Sequence, residues 1–460
     1  MGGIGVAAAA TFAGRTAPRA TAAPAVDWEA LRANLGGQLF LPGEPGFDTA
    51  RLPFNKLYDS NIPAAVARCA SVADVQACLD AAGTRVPLAA RSGGHSYAGY
   101  SVPPDGLVVD VADLSAVDVQ GDLVTVGAGA RIGDVYTAVA GAGRALPGGT
   151  CSSVGVSGLT LGGGIGVLTR KYGLTCDHLT AAEVVTADGH VRTASPGSEP
   201  DLFWALRGGG GGNFGIVTSM TFRTDPAPGV TVFSLPFGTG APAAVLGAWQ
   251  SWIAAAPPEM WANVLLFGGP QPEIRIGGCF VGGAPEATAL LDDLVRRAGV
   301  EVPDRMVRET TYLEAMRHFG TDGSRGAYVA SSRIIGAPAD PDAVVELSRK
   351  HPGSLLIIDP LGGAVSEVDS TATAFPHRDA LAAVQVYADT TVEDEPATRA
   401  MVHEMVTALE GMGVGNGYVN YIDPDLPNWQ QAYYGPNLAR LQGVSRTFDP
   451  QGVFRFPQSV

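Results

Sequence analysis

Residues 147–166 read PGGTCSSVGVSGLTLGGGIG, and the rest of the chain is arranged around them. Eight glycines and three serines in these twenty residues leave few side chains larger than Leu, so a large group can approach the backbone and meet free main-chain N–H groups. Such backbone cradles phosphates or a flat cofactor. Cys151 sits among small residues, where its thiol is reachable and open to covalent chemistry. Taken alone, the stretch fits a glycine-rich surface loop with an incidental cysteine equally well.

Outward from this stretch, a chain of 460 residues is too long for one core and implies two or three domains, with two the working number. With 16% charged and 46% hydrophobic residues it is globular, not disordered or fibrous. A formal net charge of −15 without a basic cluster argues against a nucleic-acid backbone or an anionic membrane as partner. A neutral or cationic small molecule fits better. The five cysteines, 69, 78, 151, 176 and 279, show no CxxC pairing, so no metal site is expected and an odd thiol is left over. Residues 1–25, MGGIGVAAAATFAGRTAPRATAAPA, look like the apolar and cleavage portions of an export signal without its charged leading region. A secreted protein is expected; the alternative is an Ala-rich tail on a cytoplasmic enzyme.

Along the chain, 66–82 has helical spacing with a Ser71 cap and a stop at Gly83, and RVPLAARSGGH (85–95) is a strand running into a glycine turn. Short strands follow at 107–110 and 124–126, a helix at 132–142, a hairpin of 181–187 with 190–193 around Asp188-Gly189, a helical turn at 201–206 and a strand at 214–222. Proline punctuation at TDPAPG marks a boundary near Thr224. Beyond it, strands are predicted at 273–281, 354–358 and 381–387, and helices at 285–298 and 341–350. The expected organisation is a signal-like 1–25, a first domain 26–224, a second 225–414, and an aromatic segment 415–460 that folds back onto the first. The fold class is α+β.

Five blocks then occur in order: RSGGHSY (91–97), PGGTCSSVGVSG with LGGGIG, KYGLTCDHL, DLFWALRGGGGGNFGIVT, and YVNYIDPDL with YYG, RL and FDPQGVFRFPQS. Together they resemble the berberine-bridge-enzyme-like branch of the vanillyl-alcohol-oxidase flavoproteins, over about residues 52–460. The resemblance implies a PCMH-type FAD-binding fold whose substrate domain is an antiparallel sheet flanked by helices. His95 matches the histidine, and Cys151 the cysteine, that bond the flavin, so a doubly attached FAD is implied. Imidazole and thiolate are the side chains nucleophilic enough for this near neutral pH. Arg91, Ser92, Gly93, Gly94 and Ser96, with Ser153, Gly155, Gly158, Gly162 and Gly163, are expected around the pyrophosphate, and Gly215, Ile216 and Val217 along the flavin's pyrimidine side. A Rossmann reading of LGGGIG fails, because the acidic residue about 20 positions on has no counterpart.

The same resemblance places Tyr421 as the base that takes a hydroxyl proton, with Asp359 assisting it. A phenol of ordinary pKa near 10 needs such help at neutral pH. Gln385 and Tyr387, two apart in a strand, share a face expected to line the substrate pocket. Tyr97 and Thr150 flank the attachment residues; Tyr418 is expected in the core. Val154 matches the position controlling oxygen access, where a small residue goes with oxidases. The resulting expectation is an oxidase with FAD bound through His95 and Cys151, acting on an alcohol or hemiacetal carbon of an oligosaccharide and releasing hydrogen peroxide. The alternatives are a tailoring oxidase acting on a glycosylated antibiotic or an alkaloid-like amine, and a non-catalytic flavin- or sugar-binding protein.

Overall fold

A computed structural model describes residues 26–320 and 323–460, and the expected export segment lies outside them. The chain forms an α+β protein of two domains. In the first, Ala65–Arg68 and Leu88–Arg91 pair in parallel on either side of Leu107–Asp110, and Gln38–Phe40 adds at the edge. Parallel neighbours need a crossover, which the helix Val72–Ala82 supplies. It is shorter than expected. Val66 to Arg68 are strand residues held in register with Val108 to Asp110, and the helix starts only where the Ser71 side chain accepts from Asp74 N.

A five-stranded antiparallel sheet follows, in the order Val117–Gln120, Leu123–Gly127, Ile216–Arg223, Leu179–Val185, Val191–Ala194. The hairpin at Asp188-Gly189 is present, with Gly189 at φ +76°.

The second domain is built on seven antiparallel strands, ordered Met306–Thr311, Gly229–Gly238, Glu273–Phe280, Met260–Phe267, Leu355–Pro360, Ala382–Asp389, Tyr328–Ile335. Several were illegible beforehand. Met260–Phe267, MWANVLLF, is an apolar run that periodicity alone cannot tell from a buried helix. Tyr328–Ile335 is buried along its whole length, with Ser331, Ser332 and Arg333 inside, so no alternation marks it.

One face of this sheet is packed. Val264, Leu266, Leu356, Ile358, Val384 and Val386 point into a core closed by the helices Pro242–Ala255, Ala284–Ala298, Pro341–Lys350 and Glu395–Gly411. The opposite face looks toward the first domain. Arg170, buried, joins the two: its guanidinium donates to the carbonyls of Met260, Leu361 and Ala256 at 2.7, 2.5 and 2.9 Å. The C-terminal helix Leu438–Phe448 packs against Pro200–Ala205 of the first domain, with Arg440 over the Trp204 ring at 4.1 Å.

Candidate active site

Two loops of the first domain meet backbone to backbone. A Cβ on Gly93 would lie 2.4 Å from Gly155 N, and one on Gly155 would lie 2.1 Å from Ser92 Oγ, so only glycine allows this approach. Arg91 anchors the first loop from inside the protein: its buried guanidinium pairs with Asp110 at 2.8 Å and donates to the Ala50 carbonyl. Ser92 Oγ donates to Ala128 O at 2.7 Å. The N–H groups of Gly93, Gly94, His95 and Ser96 donate to no protein acceptor among the described residues, leaving a run of donors suited to an anion.

Ser153 sits where the two attachment candidates converge. Its Oγ is 3.0 Å from His95 Nε2 and 3.3 Å from Cys151 Sγ. His95 stacks on Phe54, with ring centroids 3.7 Å apart. Burial, with help from the Arg131 charge, lowers the imidazole to about 4, so it is neutral and nucleophilic at pH 7. Val154 is half-buried against the first core, Gly158 is exposed, and Gly162 lies against the Asn420 side chain. Gly163 faces Phe375, and Gly215, at φ +148°, fits tightly against Val184 at the entry to the strand carrying Ile216 and Val217.

From the tail, the turn Val419–Tyr421 brings Tyr421 beside the same loops. Tyr421 lies parallel to Tyr97, and Tyr418 meets it edge-on at 5.0 Å. The Tyr421 phenol and the Asn263 side chain both lie beside the Asp359 carboxylate and favour its ionised form. Asp359 is buried on the sheet face turned to the first domain, and that burial raises it to about 6. Burial and the neighbouring Asp359 charge push Tyr421 well above 10. Tyr418 has a structural role: it is buried, and its hydroxyl accepts from Gly164 N at 2.9 Å and Asn420 Nδ2 at 2.8 Å.

Gln385 donates to Tyr97 Oη at 2.8 Å, while Tyr387 turns its hydroxyl to Asp389 at 2.6 Å and stacks on Tyr328. Thr150 is exposed at the rim. Asn263, Phe54 and Tyr328 escaped the sequence reading. Asn263 carried a signal, as the single polar residue in an otherwise apolar strand. Among the described residues no group of three His, Cys, Asp or Glu could hold a metal, and no helix is long and apolar enough to cross a membrane.

This geometry agrees with relationships to known proteins. A family model described as FAD binding domain matches residues 63–195, which hold His95 and Cys151, and one described as Berberine and berberine like matches 417–460, which hold Tyr421. An uncharacterized FAD-linked oxidoreductase of Bacillus subtilis, YgaK, is 35% identical over 93% of this chain and 98% of its own. The chain is a berberine-bridge-enzyme-like FAD-linked oxidoreductase of the PCMH-type FAD-binding family. Among solved members, the BBE-like 1 protein of Physcomitrella patens superposes with a TM-score of 0.87 at 29% identity, covering 94% of this chain and 98% of that one. A glucooligosaccharide oxidase from Acremonium strictum, described with a 6-S-cysteinyl, 8α-N1-histidyl FAD, superposes at 0.84 with 29% identity, covering 94% and 98%. The residues present fit the family's cofactor: unengaged loop N–H groups for its phosphates, and a neutral imidazole and a thiol at one place for its ring.

Proposed function

We propose that the protein is an oxidase that holds FAD through both His95 and Cys151 and oxidises an alcohol carbon of a small molecule. The observation that carries this reading is the buried Asp359 carboxylate with the half-buried Tyr421 phenol next to it, beside the loops that bring His95 and Cys151 together. When bound, FAD supplies a hydride acceptor whose electrons pass to O₂, giving hydrogen peroxide. The chain's own residues manage the proton. Tyr421 is far too weak an acid to be a phenolate near neutral pH, so it passes its proton to Asp359 as it takes one from the substrate hydroxyl. Asp359, ionised above about pH 6, is the terminal acceptor. Gln385 and the Tyr97 stack fix the phenol's surroundings. Val154, small and half-buried, supports access of O₂.

The Acremonium strictum relative's cysteinyl and histidyl linkage supports the double attachment, and its substrate class supports an oligosaccharide hemiacetal. A second reading, a hydroxyl on a secondary metabolite, is favoured by the lining of the site described below. Intact-mass analysis of the denatured chain tests attachment: FAD mass on peptides containing both His95 and Cys151 is expected, and bare peptides refute it. Anaerobic flavin bleaching by an alcohol, followed by peroxide release in air, tests the reaction; bleaching by no alcohol refutes it.

A further inference from the structure

The sheet register orders the site face into rows. Asn263, Asp359 and Ala383 form the catalytic row. Two residues further out, Leu265, Ile357 and Gln385 stand side by side; two further again stand Phe267, Leu355 and Tyr387. Inward of the catalytic row, Trp261 and Leu361 are buried, so the site opens in the direction of the outer rows. Leu265, Phe267, Leu355 and Ile357 are only half-buried, and they belong to none of the hydrophobic clusters among the described residues. Their neighbours on the strands, Leu266, Leu356 and Ile358, are packed under the helices.

An apolar shelf therefore runs out from Asp359. Four residues of strand separate Asp359 from Leu355, about 14 Å at the usual rise. Two of its polar groups are engaged within the protein, Gln385 Nε2 on Tyr97 and the Tyr387 hydroxyl on Asp389. Tyr387, Tyr328 and Tyr97 flank it with successive ring contacts at 5.3 and 5.4 Å. Arg275, over the Phe267 ring at 5.0 Å and bound to Glu273, closes the outer end. A sugar chain laid here would set hydroxyls against aliphatic carbon, each unpaired hydroxyl weakening binding about tenfold. A flat apolar body would lose no hydrogen bond and would cover exposed carbon.

Resting on the alcohol-oxidation reading, we propose that the substrate is an alcohol whose reacting carbinol stands at Tyr421 and whose aromatic or polycyclic apolar body, two to three rings long, lies on Leu265, Ile357, Leu355 and Phe267. Oxidation is that of the proposed function: the carbinol loses a hydride to FAD and a proton to Tyr421 and Asp359, and the product is the carbonyl compound.

The test uses the holoenzyme, anaerobically, with biphenyl-4-methanol, benzyl alcohol and cellobiose, reading binding by quenching of biphenyl fluorescence or flavin spectral change, and reaction by flavin bleaching. Biphenyl-4-methanol is expected to bind at least tenfold tighter than benzyl alcohol. Leu355→Asn should weaken it about tenfold and leave benzyl alcohol, too short to reach that row, within twofold, while Ile357→Val, which keeps the surface apolar, should bind both normally. Cellobiose bleaching the flavin at lower concentration than biphenyl-4-methanol, or biphenyl affinity unmoved in all variants, overturns the shelf and leaves alcohol oxidation standing. Shelf-dependent binding without bleaching by any alcohol upholds the shelf and overturns the oxidation reading.

Discussion

The rings of Tyr421 and Tyr97 lie 5.4 Å apart between centroids and within 4° of parallel, which fixes the phenol hydroxyl of Tyr421 against Asp359. Because Tyr97 is two residues from His95, this contact ties the proposed proton acceptor from the tail to the loop that carries an attachment candidate.

Replacing Tyr421 by Phe keeps the stack and removes only the hydroxyl. Flavin reduction is expected to slow by about 10²–10⁴-fold, the usual contribution of a positioned acid–base group. Bound flavin and melting temperature should be unchanged. Stopped-flow absorbance under anaerobic conditions measures the rate, and an unaltered rate would remove Tyr421 from its role.

Asp359 is expected to set the pH dependence. Reduction should increase as pH rises through about 6, where the carboxyl ionises, and the Asp359→Asn variant should lose that inflection along with most of its rate. Stability runs the other way. The folded value lies above the ordinary aspartate value of 3.8, so the protonated carboxyl's contribution is complete below about 4 and is lost as pH rises through about 6. Asp359→Asn should therefore stabilise the fold at pH 8, on the order of 3 kcal/mol at most, and hardly at all at pH 4. Chemical denaturation at the two pH values checks the sign.

The attachment residues separate by substitution. Cys151→Ala and His95→Ala should each leave flavin covalently held through the other residue, and the double variant should release it on acid precipitation. Mass spectrometry of the proteolysed variants reads this directly. Free flavin from either single variant would contradict two independent bonds.

Arg91 is predicted to matter for folding, not for charge at the cofactor. Its guanidinium is buried on Asp110 and the Ala50 carbonyl, so Arg91→Ala leaves Asp110 with the Ala112 N–H and, for charge, the more distant Arg68, 3.3 Å away and part-exposed. A loss of about 3–5 kcal/mol is expected. Urea unfolding of the purified variant would show it as a lower midpoint at constant slope.

Local chemistry made much of this protein legible in one dimension. The glycine loops, the Ser71 cap, the Asp-Gly hairpin and the ordered motif blocks all depend on neighbours a few residues away, so the α+β class, the family and its FAD-binding character could be read from the chain. Strands buried on both faces, such as Tyr328–Ile335, lack the alternation that announces a strand, and they became visible only in three dimensions. Tertiary structure alone decided that Asn263, Asp359 and Tyr421, from two strands and the tail, come together in one polar group. It likewise decided that Leu265 and Ile357 face outward from the core while Leu266 and Ile358 are sealed under helices. Those outcomes follow from sheet register between strands about ninety residues apart, from the return of the tail to the sheet, and from which face the helices cover, none of which leaves a trace in nearby sequence.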